Sequence, residues 1–214
     1  MENDEIKQYE NACNNIFPGL QMFVRDVFLE KETEEKYEIG KIIREPSFCD
    51  VSGRVGGLIT THRYSILSNH FVDFSFSEHG TNWGLFVCKR DSYFKVIDVY
   101  KLNNKTQISL LHLDENWKLF ENNSSNVEED IIKMVRERFK NKVNMPVIPE
   151  LATKRWLERL INPIGVDQNN NYFPLTGEIM NKENSEIVNS IRELDNVIEM
   201  ILKEMKNNNE KNIK

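Results

Sequence analysis

The sequence predicts an α+β fold, an antiparallel β-meander of about five or six strands packed by N-terminal and C-terminal helices. Three observations carry that expectation. Apolar residues recur at steps of three and four near both ends of the chain, the period falls to two between residues 58 and 120, and the two patterns are grouped rather than alternating.

At the N-terminus, Ile6, Tyr9, Cys13 and Ile16 share one helical face, and Pro18-Gly19 breaks it. Leu20, Phe23, Val24, Val27 and Phe28 match the next amphipathic template, which predicts a second helix over 20–30. The charged stretch 30–38 reads as solvated, and 37–43 as a short strand closed by Glu45-Pro46-Ser47. The meander then begins. Residues 58–67 are rich in Ile, Thr and Tyr, and Val72, Phe74 and Phe76 alternate with Asp73, Ser75 and Ser77. Further strands are expected over 84–89, 94–100, 106–113 and 117–120. Arg90-Asp91-Ser92, Asn103-Asn104 and Asp114-Glu115-Asn116 join them as turns.

Ser125 and Glu128 form a capping-box pair ahead of Ile131, Met134, Val135 and Phe139, so a helix should run from there to about Asn144. Pro149 suits the first turn of another, reaching about Ile161, with Leu151, Trp156, Leu157 and Leu160 available for packing. Asn162-Pro163 ends it, and Asn169-Asn170-Asn171 reads as a polar loop. The last helix carries Ile187, Ile191, Leu194, Ile198, Ile201 and Met205 at heptad-like steps. Val188, Val197 and Leu202 widen this stripe toward the width used in globular packing. Docking on the chain's own sheet is therefore expected first, and a homodimer through Ile187, Ile191, Leu194, Ile198 and Ile201 second. One domain over 1–206 results, helical over 1–36 and 126–206, with 207–214 as a flexible tail.

Composition narrows the function classes. At 39% hydrophobic and 29% charged residues, 214 residues can bury a core with no cofactor to assist folding. A net charge of −6 disfavours a nucleic-acid-binding surface, which needs Lys and Arg to neutralise phosphates. Cys13, Cys49 and Cys88 contain no CxxC pair and read as reduced thiols. No signal peptide or membrane-spanning run is present, so the cytoplasm is the expected compartment.

Candidate chemistry is sparse. Ser52-Gly53-Arg54-Val55-Gly56-Gly57 is glycine-rich but completes neither a P-loop nor a dinucleotide fingerprint, so a bend needing glycine torsions is the expected role. His62, His70 and His79 match no zinc spacing, and no metal site is assigned. On a strand, His62 and Arg63 face opposite ways. His79-Gly80-Thr81 resembles the histidine step of some ADP-ribosyltransferases and the His-x-Thr of two-histidine phosphodiesterases. A second His-x-[Ser/Thr] and assignable Tyr and Glu partners are missing, so a turn is read there. Cys88 and Asp98 fall mid-strand, and Lys133, Arg136, Arg138, Lys140 and Lys142 spread around a solvated helix face.

The expected function is therefore a cytosolic, non-enzymatic protein-interaction or regulatory role with an unknown protein partner. The alternative is an enzyme or binding domain for a nucleotide or other phosphorylated ligand, in which Arg54 pairs with phosphate beside His62, Arg63 and His79.

Overall fold

A computed structural model describes residues 3–121, 123–166 and 171. The chain divides between residues 175 and 176, and the description below concerns the first unit. The expected terminal helix over 187–205 lies outside the described residues.

The elements run in order: α1 (Asn3–Ile16), β1 (Gln21–Val27), α2 (Lys31–Glu34), β2 (Ile42–Glu45), β3 (Cys49–Ser52), β4 (His62–Ser68), β5 (Val72–Asp73), β6 (Leu85–Cys88), β7 (Ser92–Leu102), β8 (Lys105–Leu113), α3 (Asn126–Lys142) and α4 (Lys154–Arg159). Eight strands form one sheet in the order β2-β7-β8-β4-β1-β3-β6-β5. Every pairing is antiparallel except β4 with β8. The fold is thus mixed α and β, with a mostly antiparallel sheet and few helices.

A meander of five or six strands is too simple a description of this sheet. The β7–β8 hairpin, turning at Asn103 with φ 56°, is the meander-like part. β4 does not pair with β5; it lies between β1 and β8, and β5 pairs with β6 instead. The ladder ends at Phe74, whose N–H still donates to the Leu85 carbonyl at 2.8 Å, and Phe76 leaves the sheet because local hydrogen bonds then compete with the ladder. Ser75 N–H donates to Asp73 Oδ1 at 2.8 Å, and the Ser77 hydroxyl donates to the Phe74 carbonyl at 2.8 Å. Residues Trp117–Phe120 form a 3₁₀ turn, not a strand, with Trp117 stacked on Tyr93 at 4.8 Å.

The expected helix over 20–30 is strand β1. Its five residues Phe23 to Val27 are all buried, because β1 has a neighbour on each edge and a packed layer on each face. A strand covered on both faces needs no period of two, so its apolar residues can mimic a helical pattern.

Both faces of the sheet carry core. On one, Phe23, Tyr64, Ile66, Phe94, Val96, Ile108 and Leu110 pack with Leu151, Trp156, Leu160 and Ile164 from the later segment. On the other, Leu67, Ile97, Leu111 and Leu113 pack with Ala12 and Ile16 of α1, Val135 of α3, and Trp117 and Phe120. Ser125 caps α3, accepting the Glu128 N–H at 3.3 Å. Glu128 also reaches the buried Lys95 ammonium at 3.0 Å, which ties α3 to β7. Among the described residues, no helix is long and apolar enough to cross a membrane.

Candidate ligand-binding cleft

The sequence places an acid and a base opposite one another. Asp26 on β1 and Arg63 on β4 are directly paired in register. The guanidinium grips both carboxylate oxygens, Nε to Oδ1 at 2.6 Å and Nη2 to Oδ2 at 2.8 Å, and both side chains are almost wholly buried. Two further donations, to the Gly56 carbonyl at 3.0 Å and the Gly57 carbonyl at 3.1 Å, fasten the glycine-rich loop. Asp26 Oδ2 also accepts the Ile59 N–H at 3.1 Å. Buried charge is tolerated here because the carboxylate and guanidinium are matched fork to fork with extra polar partners.

Of this network, Asp26 alone reaches a neighbouring cleft of about 520 Å³. Asp26, Val27 and Phe28 at the end of β1 and Thr60 just before β4 form one wall of it. The Thr60 hydroxyl donates to the Val27 carbonyl at 2.7 Å, holding the two strand ends together. The opposite wall comes from α4. Lys154, Leu157 and Glu158 line the cleft at i, i+3 and i+4, the spacing that puts three residues on one helical face, and Ile161 joins them from just beyond the helix end. Trp156 on the other side of α4 is buried against Trp83, with ring centroids 5.2 Å apart, so the helix is anchored from behind. Thr153 caps it.

Apolar side chains dominate the lining, and two of them are open to solvent: Phe28 is 70% exposed and Ile161 67%. Lys154 and Glu158 stand at the rim, 3.5 Å apart. The volume and the mixture of apolar walls with a few charged groups are those of small-molecule sites.

The four residues singled out from the sequence do not share this cleft. His62 is buried, with Nε2 2.7 Å from Glu34 Oε2 and Nδ1 2.7 Å from the Thr61 hydroxyl. Burial opposes the Glu34 charge, but Lys101 and His62 outweigh it and hold that carboxyl below its ordinary range. Arg63, on the other face of β4, is committed to Asp26 and the glycine loop. Arg54 lies partly exposed, its guanidinium on the Asn82 carbonyl and 3.5 Å from Glu150. His79 is exposed in the turn that sequence reasoning expected, at φ 43° and followed by Gly80 at φ 89°.

The glycine loop has a different reason for its composition than torsional freedom. Gly56 and Gly57 lie outside the positive-φ region, and the loop runs against the backbone of residues 145–148. A Cβ on Gly57 would stand 1.9 Å from the Met145 carbonyl oxygen. Gly57→Ala is therefore expected to lower stability by about 2–3 kcal/mol, measured by urea unfolding; a loss below about 0.5 kcal/mol would show that the 145–148 segment yields freely.

Other sequence candidates are absorbed into the framework. Asp98 follows a bulge in β7 and takes Arg136 in a two-point ion pair at 2.6 and 2.8 Å. Arg136 and Lys140 also lie over the Tyr100 ring, so much of the basic run on α3 is engaged locally. Cys88 is fully buried, and burial pushes its thiol well above the ordinary range. Sequence reasoning missed the cleft itself; the signal available was the 154, 157, 158 spacing on α4.

No family model and no curated protein matches the chain. Among solved structures it is similar to exoenzyme S from Pseudomonas aeruginosa, solved with human 14-3-3 protein beta and carba-NAD, at 11% identity and TM-score 0.40. That match covers 59% of this chain and 62% of that one. It is similar also to the ADP-ribosyltransferase HopU1 of Pseudomonas syringae pv. tomato, at 16% identity and TM-score 0.40, over 44% and 45% of the two chains. A third is the Vis toxin, an ADP-ribosyltransferase from Vibrio splendidus, at 12% identity and TM-score 0.37, over 52% and 56%. The chain thus spans less than two thirds of each solved chain. These comparisons correct the expectation of a non-enzymatic protein-interaction role, because the structures it is similar to include ADP-ribosyltransferases, which are enzymes.

Proposed function

We propose that the protein takes a nucleotide-class small molecule in the cleft between the β1 end and α4. The observation that carries this reading is the combination of about 520 Å³ of space, apolar walls and an exposed cation at the rim. In it, a flat base lies against Phe28, Leu157 and Ile161, and the Lys154 ammonium leaves Glu158 for a phosphate. The Asp26–Arg63 pair is a positioning element, which keeps the wall in place without touching the ligand.

Thermal-shift and calorimetric titration with AMP, ADP, ATP and NAD tests the proposal. The dinucleotide is included because its carba analogue is bound in exoenzyme S. A ligand at one hundred times its Kd stabilises by about 2.7 kcal/mol, a shift of several degrees in Tm. Lys154→Glu and Leu157→Trp should each abolish that shift. Binding untouched by both, or no binding at all, would overturn the reading. If instead Arg54→Ala or His79→Ala removes the response, the ligand sits at the glycine loop. Chromatography of the bound nucleotide after incubation then separates an enzyme from a binding domain.

A further inference from the structure

Cys49 and Cys88 lie far apart in the sequence, yet the sheet makes them direct partners. Cys49 opens β3, Cys88 closes β6, and the antiparallel register pairs the two residues. Directly opposed residues on antiparallel strands project to the same face, with Cα atoms about 4.5–5.5 Å apart, which falls inside the range a disulfide spans. Both thiols belong to the same buried cluster, and both are reduced here.

From this register we infer that Cys49 and Cys88 form a reversible cross-strand disulfide when the protein meets a low-molecular-weight disulfide such as oxidised glutathione. A buried cation lies beside the pair. Arg25, itself only 5% exposed, places Nη1 4.0 Å from Cys49 Sγ, and its Nε is a buried donor with no partner. Burial outweighs the pull of this guanidinium, so Cys49 is held as the thiol in the closed protein. Cys88 Sγ lies 3.0 Å from the Ser92 hydroxyl and 3.8 Å from His112 Nε2, so its surroundings are also polar.

The chemistry balances as two exchanges. Cys49 thiolate attacks one sulfur of oxidised glutathione and expels a glutathione thiolate, which leaves a mixed disulfide. Cys88 thiolate then attacks the Cys49 sulfur and expels the second glutathione. The two protons lost by the cysteines reside on the two glutathione thiols, and the protein is oxidised by two electrons. Burial pushes the Cys49 thiol up to about 12 and the Cys88 thiol well above its ordinary range, so the exchange is slow in the closed protein and proceeds through opening of the strand end.

Closure would join residues 49 and 88 around the glycine loop, Thr60 and β4. The test uses the full chain carrying Cys13→Ser, both incubated folded and refolded from denaturant in glutathione buffers of graded potential. Refolding exposes both thiols, so burial cannot mask a competent pair. The expected result is a mass loss of about 2 Da, a Cys49–Cys88 peptide under non-reducing digestion, and a Tm raised by about 5–10 °C that dithiothreitol reverses. Cys49→Ser and Cys88→Ser should each abolish all three changes. Absence of the linked peptide after refolding in oxidised glutathione, or its formation with no rise in Tm, would overturn the inference.

Discussion

Asp26→Ala is expected to destabilise the protein by about 3–5 kcal/mol, among the largest effects of any single substitution in the described residues. Removing the carboxylate leaves the Arg63 guanidinium buried with only the Gly56 and Gly57 carbonyls, and strands the Ile59 N–H. An uncompensated buried charge is more costly than a missing contact. Asp26→Asn, which keeps a polar partner but not its charge, should fall between wild type and alanine. The double variant Asp26→Leu with Arg63→Met should recover most of the loss, because it removes the orphan together with its partner. Urea unfolding of the four proteins measures this. An Asp26→Ala loss under about 1 kcal/mol, or a double variant worse than the single, would show that the pair is not desolvated as the structure has it.

The second large effect depends on pH. His112 is buried, its Nδ1 2.7 Å from the Ser68 hydroxyl, and burial, with His70 adding to it, lowers its pKa to about 3. In the unfolded chain the ring titrates near its ordinary value of about 6.5. Between those values the unfolded state takes a proton that the folded state refuses, so stability falls as pH falls below about 6.5, by up to about 1.4 kcal/mol per pH unit. Glu45 and Glu128 act the other way. Burial raises both carboxyls, so the fold accepts their protons before the unfolded chain does, and lowering the pH relieves it. Comparison with His112→Gln isolates the imidazole. The wild type should lose about 2 kcal/mol relative to that variant between pH 7 and pH 5. A difference that does not change with pH would mean the imidazole protonates within the fold.

What the sequence made legible follows from where each element sits. α1 has one buried stripe, and α3 has a cap whose partner is three residues away, so both are written locally. The β7–β8 hairpin is likewise local, since its turn lies between the strands it joins. β1 was misread because its environment is set by β3 and β4, tens of residues later. The parallel contact between β4 and β8 leaves no mark in either strand. His62 and Arg63 were correctly placed on opposite faces by alternation. Their partners, Glu34 and Asp26, were invisible because they come from other elements. The cleft was hidden for the same reason: α4 supplies one wall and strand ends far from it in sequence supply the other.

The position of β1 between β3 and β4 has a consequence for how the chain is made. A nascent chain extrudes β1 well before either neighbour, so its apolar residues must wait for partners that do not yet exist. Arg25 and Asp26 sit near the C-terminal end of that waiting strand. Until the Asp50 carbonyl arrives for one and Arg63 for the other, they are hydrated charges in a segment that would otherwise invite pairing with another chain. The same two side chains that knit the finished sheet thereby guard its unfinished strand during synthesis.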